Sequence, residues 1–235
     1  MNTKRFKIRN LRIIILCIIC IFSFTGCSKS KATAYQGYVQ NLLDVNYKGI
    51  YTNYIDDNGG NETDAISMHQ DCIANLSSQL ISHYNLNTNQ SVEINETFAS
   101  IAETIYSAAN YEVSESYKEN GSYYVDVTVY PIDILNQSYD DILSYIEKFN
   151  EDVNNGVYND YTKEEYDKEF ASGIADILSA NAENPEYQDA VVIKALIEDD
   201  GEYYSIRAES LAEIDSAIIA VEENSSDSDT DNSEE

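Results

Sequence analysis

The side chains best suited to chemistry in this 235-residue chain are His69, Asp71, Cys72 and His83, its only grouping of histidine and cysteine. On a helix, His69 and Cys72 stand three residues apart, close enough for both to reach one metal ion. His83 lies roughly 20 Å further along such a helix, at 1.5 Å per residue, and cannot join them. His69 also falls on an apolar stripe with Ile66 and Ile73, the ordinary setting of a half-buried core histidine. As a nucleophile, Cys72 would need basic neighbours to stabilise its thiolate, and the flanking sequence is acidic. Both residues are therefore expected to be structural.

Other candidate constellations weaken in the same way. The run Asp56-Asp57-Asn58-Gly59-Gly60-Asn61-Glu62 offers oxygen ligands for a hard cation, but Gly60 takes a ligand position and Asn61 stands where an EF-hand needs its turn glycine. It reads as an interhelical loop with a helix cap. Gly-x-Ser-x-Gly, phosphate-binding glycine loops and His-Glu-x-x-His are all absent. With 42 acidic residues, carboxylate spacing along the chain says nothing about an active site. The 20 tyrosines mostly follow helical stripes, as core aromatics do in a chain with no Trp; Tyr124 and Tyr130 instead fall opposite the valine face of their strand. Aromatics rimmed by acids in that position suit a sugar or a peptide. No catalytic residue, metal ligand or cofactor is expected.

One residue carries a definite chemical expectation. Lys4, Arg5, Lys7, Arg9 and Arg12 precede an apolar run from Ile13 to Phe24, and Phe24-Thr25-Gly26-Cys27 follows. The run is shorter than the ~20 apolar residues of a membrane span, so it reads as a cleaved export signal rather than a stop-transfer anchor. The tetrad resembles the lipobox of bacterial lipoproteins. That resemblance implies diacylglycerol on the Cys27 thiol and cleavage before it. Residues 1–26 are then a signal peptide and 27–32 a spacer. Cys17 and Cys20 leave with the leader, so Cys72 is the only thiol remaining and no intramolecular disulfide is expected.

Charge narrows the partners. The leader holds five of the 14 basic residues, so the remainder carries nine basic against 42 acidic residues, a net charge near −33. That excludes nucleic acid, which needs a basic footprint, and argues against peripheral binding to anionic lipid, which needs basic patches. Membrane attachment is expected through the N-terminal lipid alone, with an envelope protein or glycan as the remaining partner class.

The elements that must position these residues follow from periodicity. A capping box, Thr33 with Gln36, opens a helical stripe from Tyr35 to Tyr54, with Gly49 as a late break. Further helices are expected at about 63–84, 92–109, 138–154 and 162–182, the last with the capping box Thr162 and Glu165. Between them, Tyr111, Val113, Glu115 and Tyr117 alternate with polar residues. Asn120-Gly121 makes a two-residue turn, and Tyr123, Val125, Val127 and Val129 alternate again, a β-hairpin pattern. A second hairpin runs from Val191 to Ile197, turns at Asp200-Gly201 and returns through Tyr203 to Ile206. Ser210 with Glu213 marks a final helix. From Glu222 onward no apolar residue occurs, and residues 222–235 are expected to be a disordered acidic tail. The fold class is α+β: helices on one face of an antiparallel sheet made from the two hairpins, within a domain spanning 33–221. Two smaller domains, each with one hairpin, are the alternative.

Three stretches carry a further resemblance. Tyr38-Val39-Gln40-Asn41-Leu42-Leu43-Asp44 with Tyr47-Lys48-Gly49 is similar to the first helix of a group of Gram-positive lipoproteins of the Firmicutes with no assigned activity. Val125-Asp126-Val127-Thr128-Val129 before Pro131-Ile132-Asp133 resembles the same group, as does Gly201-Glu202-Tyr203-Tyr204-Ser205-Ile206 before Leu211 and Ile214-Asp215. The resemblance implies a surface lipoprotein and transfers no site residue beyond Cys27. The expected function is a lipid-anchored, non-enzymatic binding module on the extracytoplasmic face of the cell membrane. An envelope enzyme or solute-capturing protein with an acidic cleft is the alternative.

Cys27→Ala should abolish lipid attachment and leave the precursor unprocessed. Metabolic labelling with a fatty-acid analogue measures this, and equal label in wild type and variant would refute the assignment.

Overall fold

The computed structural model describes residues 31–88 and 91–221. The expected signal peptide, Cys27 and the expected acidic tail lie outside the described residues.

The centre of the fold is an antiparallel sheet that joins the two hairpins. Strands β1 (Asn110–Val113) and β2 (Tyr117–Glu119) both pair with one edge of β3 (Ser122–Tyr130). The other edge of β3 pairs with β4 (Val191–Asp199), and β4 pairs with β5 (Tyr204–Ile206). The β2–β3 turn is the two-residue Asn120-Gly121, with φ of +50° and +91° at its two residues, the backbone of a type I′ turn. The β4–β5 loop is longer than expected, four residues from Asp200 to Tyr203. The Asp200 carboxylate organises it by accepting the Glu202 and Tyr203 amides at 2.9 and 2.8 Å.

The first hairpin strand is interrupted. Val113 pairs with Val127 and Tyr117 with Tyr124, so three residues face two across the gap. This β-bulge is pinned by Ser114: its amide donates to the Asp126 carbonyl and its hydroxyl accepts the Asp126 amide, each at 2.9 Å. One extra residue reverses side-chain parity. Tyr111 and Val113 therefore face the core, while Tyr117 faces the other side beside Tyr124, against the uniform alternation expected of 111–117.

On the core face, Val125, Val127 and Val129 meet Ile193, Ala195 and Ile197, all essentially buried. Helices α1 (Lys31–Lys48) and α8 (Ala208–Ile218) cover this face. Helix α2 (Thr52–Asn58) packs on α1, and α3 (Glu62–His83) and α4 (Val92–Ser107) lie behind it. The short α5 (Ile134–Gln137), α6 (Tyr139–Asn154) and α7 (Lys163–Ala182) form the connection from β3 to β4, with α7 against α4. The α+β class and the one-faced helical layer agree with the sequence expectation.

Helix α1 is buried on most sides, with Tyr35, Val39, Leu43, Val45 and Tyr47 at 1% exposure or less and a partly exposed line through Thr33, Gly37, Gln40, Asp44 and Lys48. Its buried amide Asn41 is satisfied: it donates to Asn58 Oδ1 at 2.8 Å and to the Asn53 carbonyl at 3.2 Å. The expected helix to Tyr54 ends early, at Lys48: Gly49 adopts φ +62°, where a side chain would also crowd the His69 ring. Thr33 lies inside α1 rather than at its cap, and Gln36 reaches the Val113 carbonyl at 2.8 Å. Ser210 likewise does not cap α8; its hydroxyl accepts the Leu196 amide and ties the helix to β4. The Thr162–Glu165 capping box forms as read.

Helices α6 and α7 approach closely at Gly173, where the Tyr145 ring occupies the space of a side chain. Tyr145 is held there by hydrogen bonds to the Glu169 and Phe170 carbonyls at 3.0 and 3.3 Å. Overpacking there costs about 1–3 kcal/mol against the ~1 kcal/mol by which Ala favours a helix, so Gly173→Ala should destabilise the fold by up to about 2 kcal/mol. Urea unfolding of Gly173→Ala, alone and with Tyr145→Ala, checks this; the second change should relieve the overlap and make the pair non-additive.

Candidate binding surface

The residues singled out for chemistry are dispersed. His69 Nδ1 lies 3.0 Å from the Asn46 carbonyl, and its ring meets Tyr51 edge-on. Cys72 is half-buried, packed against the core and in no disulfide. His83 is exposed at the end of α3 and contacts Tyr84. In the acidic run, Asp56 to Asn58 belong to α2, and Asn61 caps α3 by accepting the Asp64 amide at 2.8 Å. Among the described residues no three His, Cys, Asp or Glu side chains are placed to hold a metal ion.

Three core tyrosines instead deliver their hydroxyls to carboxylates, an arrangement that no local spacing signals. Tyr111 donates to Asp44 at 2.6 Å, Tyr35 to Asp199 at 2.5 Å, and Tyr47 to Asp215. Each pair joins segments at least 67 residues apart. Burial pushes all three tyrosine pKa values up, and the adjacent carboxylates add to it. Asp215, on α8, keeps some exposed surface, but burial of its carboxyl pushes its pKa up to about 6 against the opposing bond from Tyr47. Asp199 goes the other way. Burial alone would raise it, but bonds from Lys31, Tyr35 and the Gly201 amide outweigh that and hold it below the usual carboxylate value.

The second face of the sheet presents an organised surface, with no helix laid over it among the described residues. Tyr117 and Tyr124 stack there with ring centroids 6.0 Å apart and planes at 29°. Lys194, brought alongside by the β3–β4 register, sets its ammonium 4.3 Å from the Tyr124 ring centroid and 5.6 Å from that of Tyr117. The same ammonium pairs with Glu119. The Tyr117 hydroxyl donates to Asp126 at 2.8 Å. Val192 beside them is 63% exposed. Aromatic faces, one cation and flanking acids are thus held in a fixed arrangement at low rotameric cost. Tyr124 and Tyr130 were legible from alternation; Tyr117 and Lys194 were not, because a bulge and a long-range register place them.

At one end of the sheet, the β2–β3 and β4–β5 turns flank an open cleft of about 810 Å³. Tyr123 and Ile197 lie between the turns, and Lys31, Lys118 and Arg207 face Glu198, Asp199 and Asp200 around them. Lys31 reaches across from the start of α1 to Asp199 at 2.6 Å, and Arg207 pairs with Glu198 at 2.9 Å.

No protein-family model matches this chain, and no curated protein matches it. Its fold is similar to that in the crystal structure of a candidate lipoprotein, ycdA, from Bacillus subtilis. The TM-score is 0.57 at 14% sequence identity, covering 82% of this chain and 59% of that one. The chain therefore spans about three fifths of that protein's length, and the likeness is one of fold.

The Asp215 environment makes a pH prediction with a defined sign. Below pH ~4 the carboxyl is protonated folded and unfolded, and costs nothing. As pH rises from ~4 to ~6 the unfolded chain releases this proton while the folded one retains it, so stability falls; above ~6 the cost is constant. Relative to wild type, Asp215→Asn should gain about 2–3 kcal/mol between pH 4 and pH 7. Urea unfolding of both proteins across that range measures the difference, and a pH-independent difference would contradict the assignment.

Proposed function

We propose that this protein is a lipid-anchored, non-enzymatic binding module on the extracytoplasmic face of the cell membrane, and that the uncovered sheet face receives an envelope partner. The lipobox-like tetrad at Cys27 supports the anchor. The fold likeness to a candidate lipoprotein agrees with it. No helix of the described residues is long and apolar enough to cross a membrane, so the lipid is the attachment this reading relies on.

The observation that carries the binding reading is the Tyr117–Tyr124–Lys194 cluster. These side chains are already stacked and paired on a surface that nothing in the described fold covers, so a partner would meet groups whose ordering has little left to cost. Stacked tyrosines offer flat apolar faces, while Lys194, Glu119 and Asp126 supply directional polar contacts. That combination suits a glycan or an extended polypeptide of the envelope.

The test compares retention on purified cell-wall glycan and on washed membrane protein. Tyr124→Ser with Lys194→Ser should weaken retention about tenfold, or ~1.4 kcal/mol. Tyr139→Ser should leave it unchanged, because Tyr139 is exposed on α6 away from the sheet. Equal retention by all three proteins would overturn the assignment of the face. Turnover of either material into released products would overturn the non-enzymatic reading.

A further inference from the structure

The start of α1 is not a loose end. Lys31 reaches the same Asp199 oxygen that accepts the Tyr35 hydroxyl, so the first described turn of the chain is latched to the far end of β4. Only residues 28–30 separate Lys31 from Cys27. Even fully extended, that link spans no more than about 14 Å at ~3.3–3.6 Å per residue. A lipid on Cys27 would therefore hold the two hairpin turns and the cleft between them close to the bilayer. The opposite end of β4, at Val191, stands about 27 Å away along the strand.

The chemistry of that end differs from the rest of the molecule. Outside the leader the chain carries nine basic and 42 acidic residues. The cleft takes three of the nine, Lys31, Lys118 and Arg207, against Glu198, Asp199 and Asp200 from the 42. The cleft lining is charge-balanced, with the exposed Glu119 and Glu202 at the adjoining turns, on a domain that is otherwise strongly negative. Charges at the distant end of the sheet are screened beyond ~8 Å at physiological salt, so their repulsion hardly reaches the membrane. Lys31 and Arg207 are paired with Asp199 and Glu198, but their side chains stay about half exposed, at 53% and 48%, and can also meet phosphate. Lys118 also sets its ammonium 5.1 Å from the Tyr123 ring centroid, and Tyr203 lies at the other turn. Tyrosine, with an apolar ring and a polar tip, suits the headgroup layer. One acylated cysteine and a matched protein surface would together orient the domain as a lipid alone would not.

We infer that the hairpin-turn end of the domain docks on the phospholipid headgroups of the membrane that holds its anchor, with Lys31, Lys118 and Arg207 facing lipid phosphate. This rests on the lipidation of Cys27 proposed above. It leaves the Tyr117–Tyr124–Lys194 face standing beside the bilayer, open to a partner.

The test uses the full lipidated protein in vesicles of phosphatidylglycerol and phosphatidylethanolamine in equal parts. A fluorophore is placed in a Cys72→Ser background at Glu202→Cys, on the β4–β5 loop, or at Asp189→Cys, before β4. Both positions are exposed. A quencher carried on the lipid headgroup should dim the Glu202 position at least about threefold more than Asp189, which is ~27 Å or more from the docked end. Equal quenching, or stronger quenching at Asp189, overturns the inference. Lys118→Glu with Arg207→Glu should at least halve the contrast; an unchanged contrast would mean that the tether alone orients the domain, and would overturn headgroup docking. Mass spectrometry of the same preparation separates the two claims. Absence of lipid on Cys27 removes the anchor and the inference with it, whereas equal quenching of an acylated protein removes the inference only.

Discussion

Everything in this fold depends on the pairing of β3 with β4. The two strands are separated by about 60 residues, so closing that loop costs on the order of 3–4 kcal/mol in chain entropy. Five branched side chains, Val125, Val127, Val129, Ile193 and Ile197, are buried across the pair. Each contributes about 1.5–3 kcal/mol, so burial exceeds the closure cost severalfold. Neither hairpin alone offers an interior strand. Paired, they give a single apolar face wide enough for α1 and α8; α2, α3 and α4 then have α1 to pack against, and α7 packs on α4.

The core that results is unusual in its reliance on tyrosine. Tyr35, Tyr38, Tyr47, Tyr106, Tyr111 and Tyr204 are buried and contact one another at ring-centroid distances of 5.0 to 6.0 Å. Each buried hydroxyl must find a partner or lose the hydrogen bonds it made in water. Asp44, Asp199 and Asp215 supply acceptors for three of them, from positions at the rim of the core. An acidic chain can build its interior this way because its carboxylates are plentiful and its tyrosines bring the donors. The cost falls on Asp215, whose ionisation burial opposes, while Asp199 has Lys31 and the Gly201 amide to hold its charge.

The same sheet separates two surfaces by orientation. Its core face is consumed by packing, and its other face carries stacked tyrosines and a lysine whose positions depend on one bulge. Without the extra residue between Val113 and Tyr117, Tyr117 would point into the core and the stack with Tyr124 would not exist. Ser114, bonded twice to the Asp126 backbone, is thus a small residue with a long reach.

The sequence by itself determined the six longer helices, though not α2 or α5, and with them both hairpins, the Asn120-Gly121 turn and the Thr162–Glu165 cap, because periodicity and turn chemistry act over a few residues. It also determined that Tyr124 lies opposite Val125, since alternation needs no partner. Only the tertiary structure decided that β3 would be interior, that α1 would be buried on most sides, and that Ser210 would bind β4 instead of capping its own helix. Only it brought Lys194 to the tyrosine stack and Lys31 to Asp199, 168 residues away. Alternation says which side chains share a face; which strand edge pairs, in which register, and what covers each face are settled by contacts between distant segments, and those leave no local trace.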